Sequence, residues 1–296
     1  MKRQLRGSVV WALAFAAGSS VVGVGSASAD LIYAADGALS TAGNLYLVDT
    51  NTALATTVGA LVDATGAAYA INGMAWDSGT NTLYGSTSGA SPTLANGLVR
   101  INPATAQVTP IGLLGLTPPN FSADLDISNG VLYGWAEGSL SALITINTAT
   151  GAASVVGPNG QNLNTTGSGL ASNAAGTMFS TPNLSTGSIW QMNTGTGQLF
   201  GPTALSGGTA SARIGALEFS SGTLYGAELV GDGVSGITSN QLISVNPVSG
   251  AITSIGQFRD ANTLAFIRHI DAIAVPAPGA AALMGLAGLA ALRRRR

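Results

Sequence analysis

A chain of 296 residues with 41 glycines and only 8% charged residues favours many short strands joined by tight turns, in one large all-β domain or two small ones. It contains no cysteine, which excludes a disulfide framework and any thiolate metal site. Seven of the 11 basic residues lie at the two ends, so the stretch from Asp30 to Asp271 sets four arginines against all 13 acids, a net of −9 that repels nucleic-acid backbones.

The chain opens with Lys2, Arg3 and Arg6, an apolar run from Val9 to Ala17, and the small residues Ala27-Ser28-Ala29. This is the layout of a secretory signal peptide over 1–29, cleaved between Ala29 and Asp30. Gly18, Ser19 and Ser20 interrupt the run too early for a span of about 20 residues.

The body repeats one pattern. Leu31-Ile32-Tyr33-Ala34 precedes Leu45 to Asp49, and Leu83-Tyr84-Gly85 precedes Leu98 to Asn102. Leu132-Tyr133-Gly134 precedes Leu143 to Asn147, and Leu224-Tyr225-Gly226 precedes Leu242 to Asn246. A degraded copy runs from Met178-Phe179-Ser180 to Ile189 to Asn193. Turn residues therefore recur at 49, 102, 147, 193 and 246, a period typical of propellers and solenoids.

Each repeat holds four strand candidates, identified by period-2 alternation and Gly/Pro/Asn punctuation. The first is an apolar pair: Met74/Trp76, Leu125/Ile127, Leu170 with Ser172, Leu217/Phe219 and Leu264/Phe266. The second is the Leu-Tyr-Gly strand, the third the Leu-x-x-Ile-Asn strand, and the fourth a short run ending in glycine. Between third and fourth, Asn caps a turn, Pro103 or Pro247 presets φ, and Gly151, Gly197 or Gly250 takes the left-handed conformation.

The first copy lacks a first strand, and Ala261 to Ile267 supplies only that one. Joining them predicts a five-bladed β-propeller closed by pairing of N- and C-terminal strands. Its blades are 31–61 with 261–267, then 73–112, 123–157, 169–201 and 215–256. Leu264 and Phe266 are then core residues. The propeller occupies 30–268 and a linker 269–274.

Asp126 and Glu218 fall at the same place in the first strand, where the other copies carry Ala75, Ala171 and Ala265. First strands line a propeller's channel, so two carboxylates could face one cavity and share acid/base work on a glycosidic bond. The architecture is similar to that of five-bladed glycosidases with carboxylates on inner strands, and the likeness implies that alternative. The other reading has each acid bonding backbone N–H groups or pairing with Arg213 or Arg100. Among the tryptophans, Trp76 and Trp190 sit at repeated core positions. Trp135, next to Glu137, is the candidate for an exposed ligand-stacking residue. Asp124 reads as a strand-start or rim residue, and Asp232 lacks the alternating oxygens of a calcium loop. His269, the only histidine, reads as a tail residue, so no His triad or His-rich metal site is available. No phosphate-binding glycine loop is present, and neither cofactor nor metal is expected.

The chain closes with Val275-Pro276-Ala277-Pro278, an apolar run from Gly279 to Leu292, and Arg293, Arg294, Arg295 and Arg296. This resembles the PEP-CTERM sorting signal of Gram-negative bacteria, with Ala277 where that family has Glu, over 275–296. At ~1.5 Å per residue the apolar run is short of a ~30 Å hydrocarbon core, and the arginines favour the cytoplasmic side. The resemblance implies an exosortase-like processing enzyme as partner, transient inner-membrane insertion through the tail, and delivery to the cell surface or extracellular matrix. It also implies an association with extracellular polysaccharide and biofilm. The leading expectation is an exported, non-catalytic binding or structural protein; the alternative is a secreted carbohydrate-active hydrolase using Asp126 and Glu218.

Overall fold

The computed structural model describes residues 30–37, 42–116, 121–161, 168–182, 187–208, 213–231 and 237–275. Residues 1–29, expected to be a signal peptide, Pro276 to Arg296, expected to be a sorting signal, and Asp232 lie outside them. The described residues form an all-β, five-bladed β-propeller.

Blade one contains β1 (Leu31–Asp36), β2 (Asn44–Asp49) and β3 (Leu54–Ala60). Blade two is β4 (Ile71–Asp77), β5 (Thr82–Thr87), β6 (Gly97–Ile101) and β7 (Val108–Leu113). Blade three is β8 (Phe121–Ser128), β9 (Val131–Glu137), β10 (Ala142–Ile146) and β11 (Ala153–Pro158). Blade four is β12 (Gly169–Ser172), β13 (Met178–Thr181), β14 (Ser188–Met192) and β15 (Leu199–Ala204). Blade five is β16 (Arg213–Ser220), β17 (Thr223–Gly231), β18 (Ile237–Val245) and β19 (Ile252–Gln257). The chain then returns to blade one with β20 (Arg259–Asp260) and β21 (Ile270–Ala274), giving the order β20-β3-β2-β1-β21.

The ring is closed by terminal pairing, but through a different segment from the one expected. The inner strand of blade one is Ile270–Ala274, antiparallel to β1 with Ala34 opposite Ile273. Ile270, Ala272, Ile273 and Ala274 are wholly buried. The expected linker 269–274 is thus part of the sheet. Ala261 to Ile267 instead leaves Leu264 56% and Phe266 45% exposed.

The physical reason is a sixth copy of the turn. In blade two the Ala106 amide donates to the Asn102 carbonyl and the Asn102 amide to that of Gln107, with Ala106 at φ 61°. Leu264 donates to the Asp260 carbonyl and Asp260 to that of Ala265, with Leu264 at φ 58°. Asp260-Ala-Asn-Thr-Leu264 repeats Asp49-Thr-Asn-Thr-Ala53, and a segment bent by this turn cannot run straight along the axis.

Packing between blades repeats with the sequence. Five apolar clusters lie between successive blades; the one between blades one and two joins Tyr33, Leu45, Ile71, Met74, Leu83 and Val99. Each blade is also clasped to the next by the connector that leaves it. Val108 donates its amide to the Val62 carbonyl, Ala153 to Leu114, Leu199 to Asn159 and Ile252 to Ser206. At the seam, Arg259 and Asp260 pair in parallel with Leu54 and Ala55. The glycine that ends the fourth strand permits this approach: a Cβ on Gly112 would fall 2.1 Å from the Thr150 carbonyl oxygen of the next blade.

Candidate functional site

The inner strands share one register. Opposite Tyr33, Tyr84, Tyr133, Phe179 and Tyr225 of the second strands stand Ala274, Ala75, Asp126, Ala171 and Glu218. Three small alanines and two acids, on blades three and five, thus occupy equivalent positions around the axis.

The axis is tightly packed just beside this ring. A Cβ on Gly73 would fall 2.6 Å from the Asp124 Cα, and one on Gly169 would fall 3.0 Å from the Ala216 carbonyl carbon. An innermost strand has one edge without a sheet partner, and its N–H groups there need acceptors. Asp124, wholly buried, supplies them. Its Oδ1 accepts from the Leu125 amide at 2.9 Å, and its Oδ2 from the amides of Leu170 at 2.9 Å and Leu217 at 3.1 Å. One carboxyl on blade three therefore ties in blades four and five. Burial pushes its pKa well up, against the pull of the three amides and with a smaller push from Asp126. The rim position expected for Asp124 is corrected: it lies at the packed centre.

Asp126 is 5% exposed, and its pKa is pushed up to about 6 by burial. The Ser172 hydroxyl and amide and the Ile127 amide oppose that shift, while Oδ2 is buried without a partner. Glu218 is half-buried; burial first, then the charges of Asp126 and Asp124, raise its pKa well above the usual carboxylate range. Glu218 therefore feels the charge of Asp126. No cation figures among the influences on either one. Chemically, Asp126 can take up and release a proton in the weakly acidic range, and Glu218 is biased toward its protonated form.

Trp135 and Glu137 do not form an exposed site. Trp135 is wholly buried, packed with Leu143, Leu170, Met178 and Met192 between blades three and four. Glu137 is buried too, and its Oε1 accepts the Ser168 amide at 2.8 Å. β9 extends past Gly134, and its last residues project into the seam with blade four. Trp76 stacks on Tyr33 with ring centroids 6.2 Å apart. Asp30 binds the chain start to its neighbours: its carbonyl accepts from the Thr50 amide at 3.0 Å, and its Oδ2 from the Ser220 hydroxyl at 3.2 Å.

A second polar region escaped the sequence reading. Asp36, Gly37, Tyr46, Phe266, Ile267, Arg268 and His269 line a cleft of about 340 Å³ where the returning connector crosses blade one. His269 is therefore no tail residue. The signal that could have found this region is the repeated Asp-x-Asn-Thr turn, which marks Asp260 to Leu264 as a surface hairpin. Among the described residues, no group of three or more His, Cys, Asp or Glu is arranged to hold a metal ion.

No protein-family model and no curated protein matches the chain. Among solved structures, it is similar to a Bacteroides thetaiotaomicron protein of unknown function, at 17% identity and a TM-score of 0.45, covering 63% of this chain and 51% of that one. A gluconolactonase from Xanthomonas campestris is similar at 13% identity and 0.44, with 76% of each chain covered. Myxococcus xanthus glutaminyl cyclase is similar at 15% and 0.41, covering 73% of this chain and 74% of that one. The chain thus spans about half the length of the first of these. Likenesses this distant assign no activity to the site.

Proposed function

We propose that the chain is an exported, non-catalytic propeller that serves as a binding or structural protein of the cell surface or extracellular matrix. The observation that supports this most is the state of the axis. Its inner strands touch backbone to backbone, and its most buried acid has both carboxylate oxygens engaged by amides of three blades. Acids at this axis serve ring assembly, and a packed ring leaves the outer surfaces and connectors to bind partners. Export rests on the signal-like residues 1–29, and sorting by an exosortase-like enzyme on Pro276 to Arg296. Deleting Pro276 to Arg296 tests the sorting: soluble, folded protein released outside the inner membrane is expected, and cytoplasmic retention refutes the tag.

One observation favours a second reading, a carbohydrate-active hydrolase. Asp126 and Glu218 both have raised pKa values, Glu218 in part through the Asp126 charge, and one Asp126 oxygen is buried without a partner. The experiment that separates the two is turnover of a glycan panel by the mature protein beside Asp126→Asn and Glu218→Gln. No turnover is expected. Turnover abolished by either substitution overturns the non-catalytic reading.

A further inference from the structure

The cleft over blade one gathers cationic, aromatic and acidic side chains. The body from Asp30 to Asp271 is acidic and holds four arginines and one histidine. Two of those arginines and the histidine fall within residues 259–269. Arg268 is exposed and makes no hydrogen bond or ion pair among the described residues. His269, beside it in the cleft wall, holds a left-handed φ of 61° and has its Nδ1 buried without a partner. The Arg259 guanidinium lies 4.0 Å from the Phe266 ring centroid, and its Nη2 donates to the Gln257 side-chain carbonyl at 3.2 Å. Phe266 is thereby held while remaining partly exposed at the cleft. On the opposite wall, the Asp36 carboxyl accepts the Asn44 amide at 2.5 Å and the Tyr46 hydroxyl at 2.8 Å. The Asn44 side chain and Asp36's own amide also donate to this carboxyl, more weakly, and a ligand hydroxyl competes with these weaker donors.

We propose that this cleft is a binding site for an acidic saccharide, with a ring carboxylate held by Arg268 and His269 and ring hydroxyls donating to Asp36. The inference rests on the binding-protein reading above and names its ligand class. Arg presents a planar fork that matches a carboxylate, and the two arginines and the histidine within 259–269 give an anion a local cationic partner on a body that otherwise repels it. Asp36 and Tyr46 suit a polyhydroxylated ring, which both donates and accepts, better than a simple anion. Phe266 supplies a flat apolar platform, and about 340 Å³ accommodates a small ligand. Arg268 makes no hydrogen bond or ion pair among the described residues, so binding breaks none of those contacts.

The test uses calorimetric titration of the mature, full chain with tetragalacturonate and, separately, a neutral galactotetraose. The acidic tetramer is expected to bind, more weakly at high salt. Arg268→Ala should weaken it by about tenfold or more, the loss of one charge-assisted hydrogen bond, and Arg268→Lys should recover only part. Leu264→Ala, on the exposed hairpin tip, should leave binding unchanged. Absence of binding at millimolar ligand overturns the proposal, as does equal affinity for the neutral tetramer. Acidic binding insensitive to Arg268→Ala also refutes this cleft while leaving a glycan-binding role elsewhere on the propeller standing.

Discussion

Replacing Asp124 with alanine should unfold a large part of the ring's stability from a single axial position. The substitution removes the acceptors of the Leu170 and Leu217 amides, which belong to two other blades. Leu170 and Leu217 are wholly buried, so water cannot replace the lost oxygen without opening the axis. The Leu125 amide loses its acceptor as well; an orphaned buried N–H costs about 1–3 kcal/mol, so three give about 3–9 kcal/mol, against a typical total of about 5–15 kcal/mol. Relief from burying an acid with a raised pKa offsets part of this and argues for the lower half of the range. Asp124→Asn keeps one oxygen able to accept the Leu170 and Leu217 amides, leaves only the Leu125 amide without its acceptor, and should lose less than half as much. The assay is urea unfolding of the mature protein followed by tryptophan fluorescence, with the parent and both variants in parallel. An alanine variant within about 0.5 kcal/mol of the parent would refute the view that this carboxyl stitches three blades.

Stability should also fall as pH rises through the weakly acidic range. Asp126 has its pKa raised from 3.8 to about 6, so the folded state binds more protons than the unfolded chain between those values. Its contribution is present at low pH and is lost progressively between about pH 4 and 6, amounting to about 3 kcal/mol. Asp36, Asp124 and Glu218 shift in the same direction. Urea unfolding at pH 5 and 8 checks this; Asp126→Asn should flatten the difference, and a parent more stable at pH 8 contradicts it. Ring closure predicts that stopping the chain after Val275 leaves the melting temperature unchanged, whereas stopping after Arg268 removes buried β21 and abolishes cooperative unfolding. Equal melting of the two truncations would exclude that closure. The double change Leu264→Ala and Phe266→Ala should lower stability by less than about 1 kcal/mol, since both residues are largely exposed. Trp135→Ala, by contrast, should cost about 3–5 kcal/mol through a core cavity. A near-neutral Trp135→Ala would show that the seam between blades three and four is not packed as described.

Much of this architecture is local and therefore legible along the chain. The Leu-Tyr-Gly strand, the Asn-capped turn and its left-handed closing residue are set by neighbours a few positions apart. Their spacing alone counts the blades. Asp126 and Glu218 were placed in register because that register follows from the same spacing, and Ala274 completes their ring where Ala265 was expected. The failures share a cause. Ala261 to Ile267 and Ile270–Ala274 both read as short apolar strands, and nothing within either says which will pair with Leu31–Asp36, over 230 residues away. Tertiary packing made that choice: the alanines of Ile270–Ala274 fit a crowded axis, whereas the Asp260 turn bends the earlier segment outward. The burial of Trp135 and Asp124 is hidden in the sequence for a related reason. Hydrophobic alternation says that a side chain leaves one face of its strand, but whether that face meets water or another blade depends on the ring as a whole. At Asp124 the ring brings two foreign amides to one carboxyl, a contact that no stretch of sequence contains.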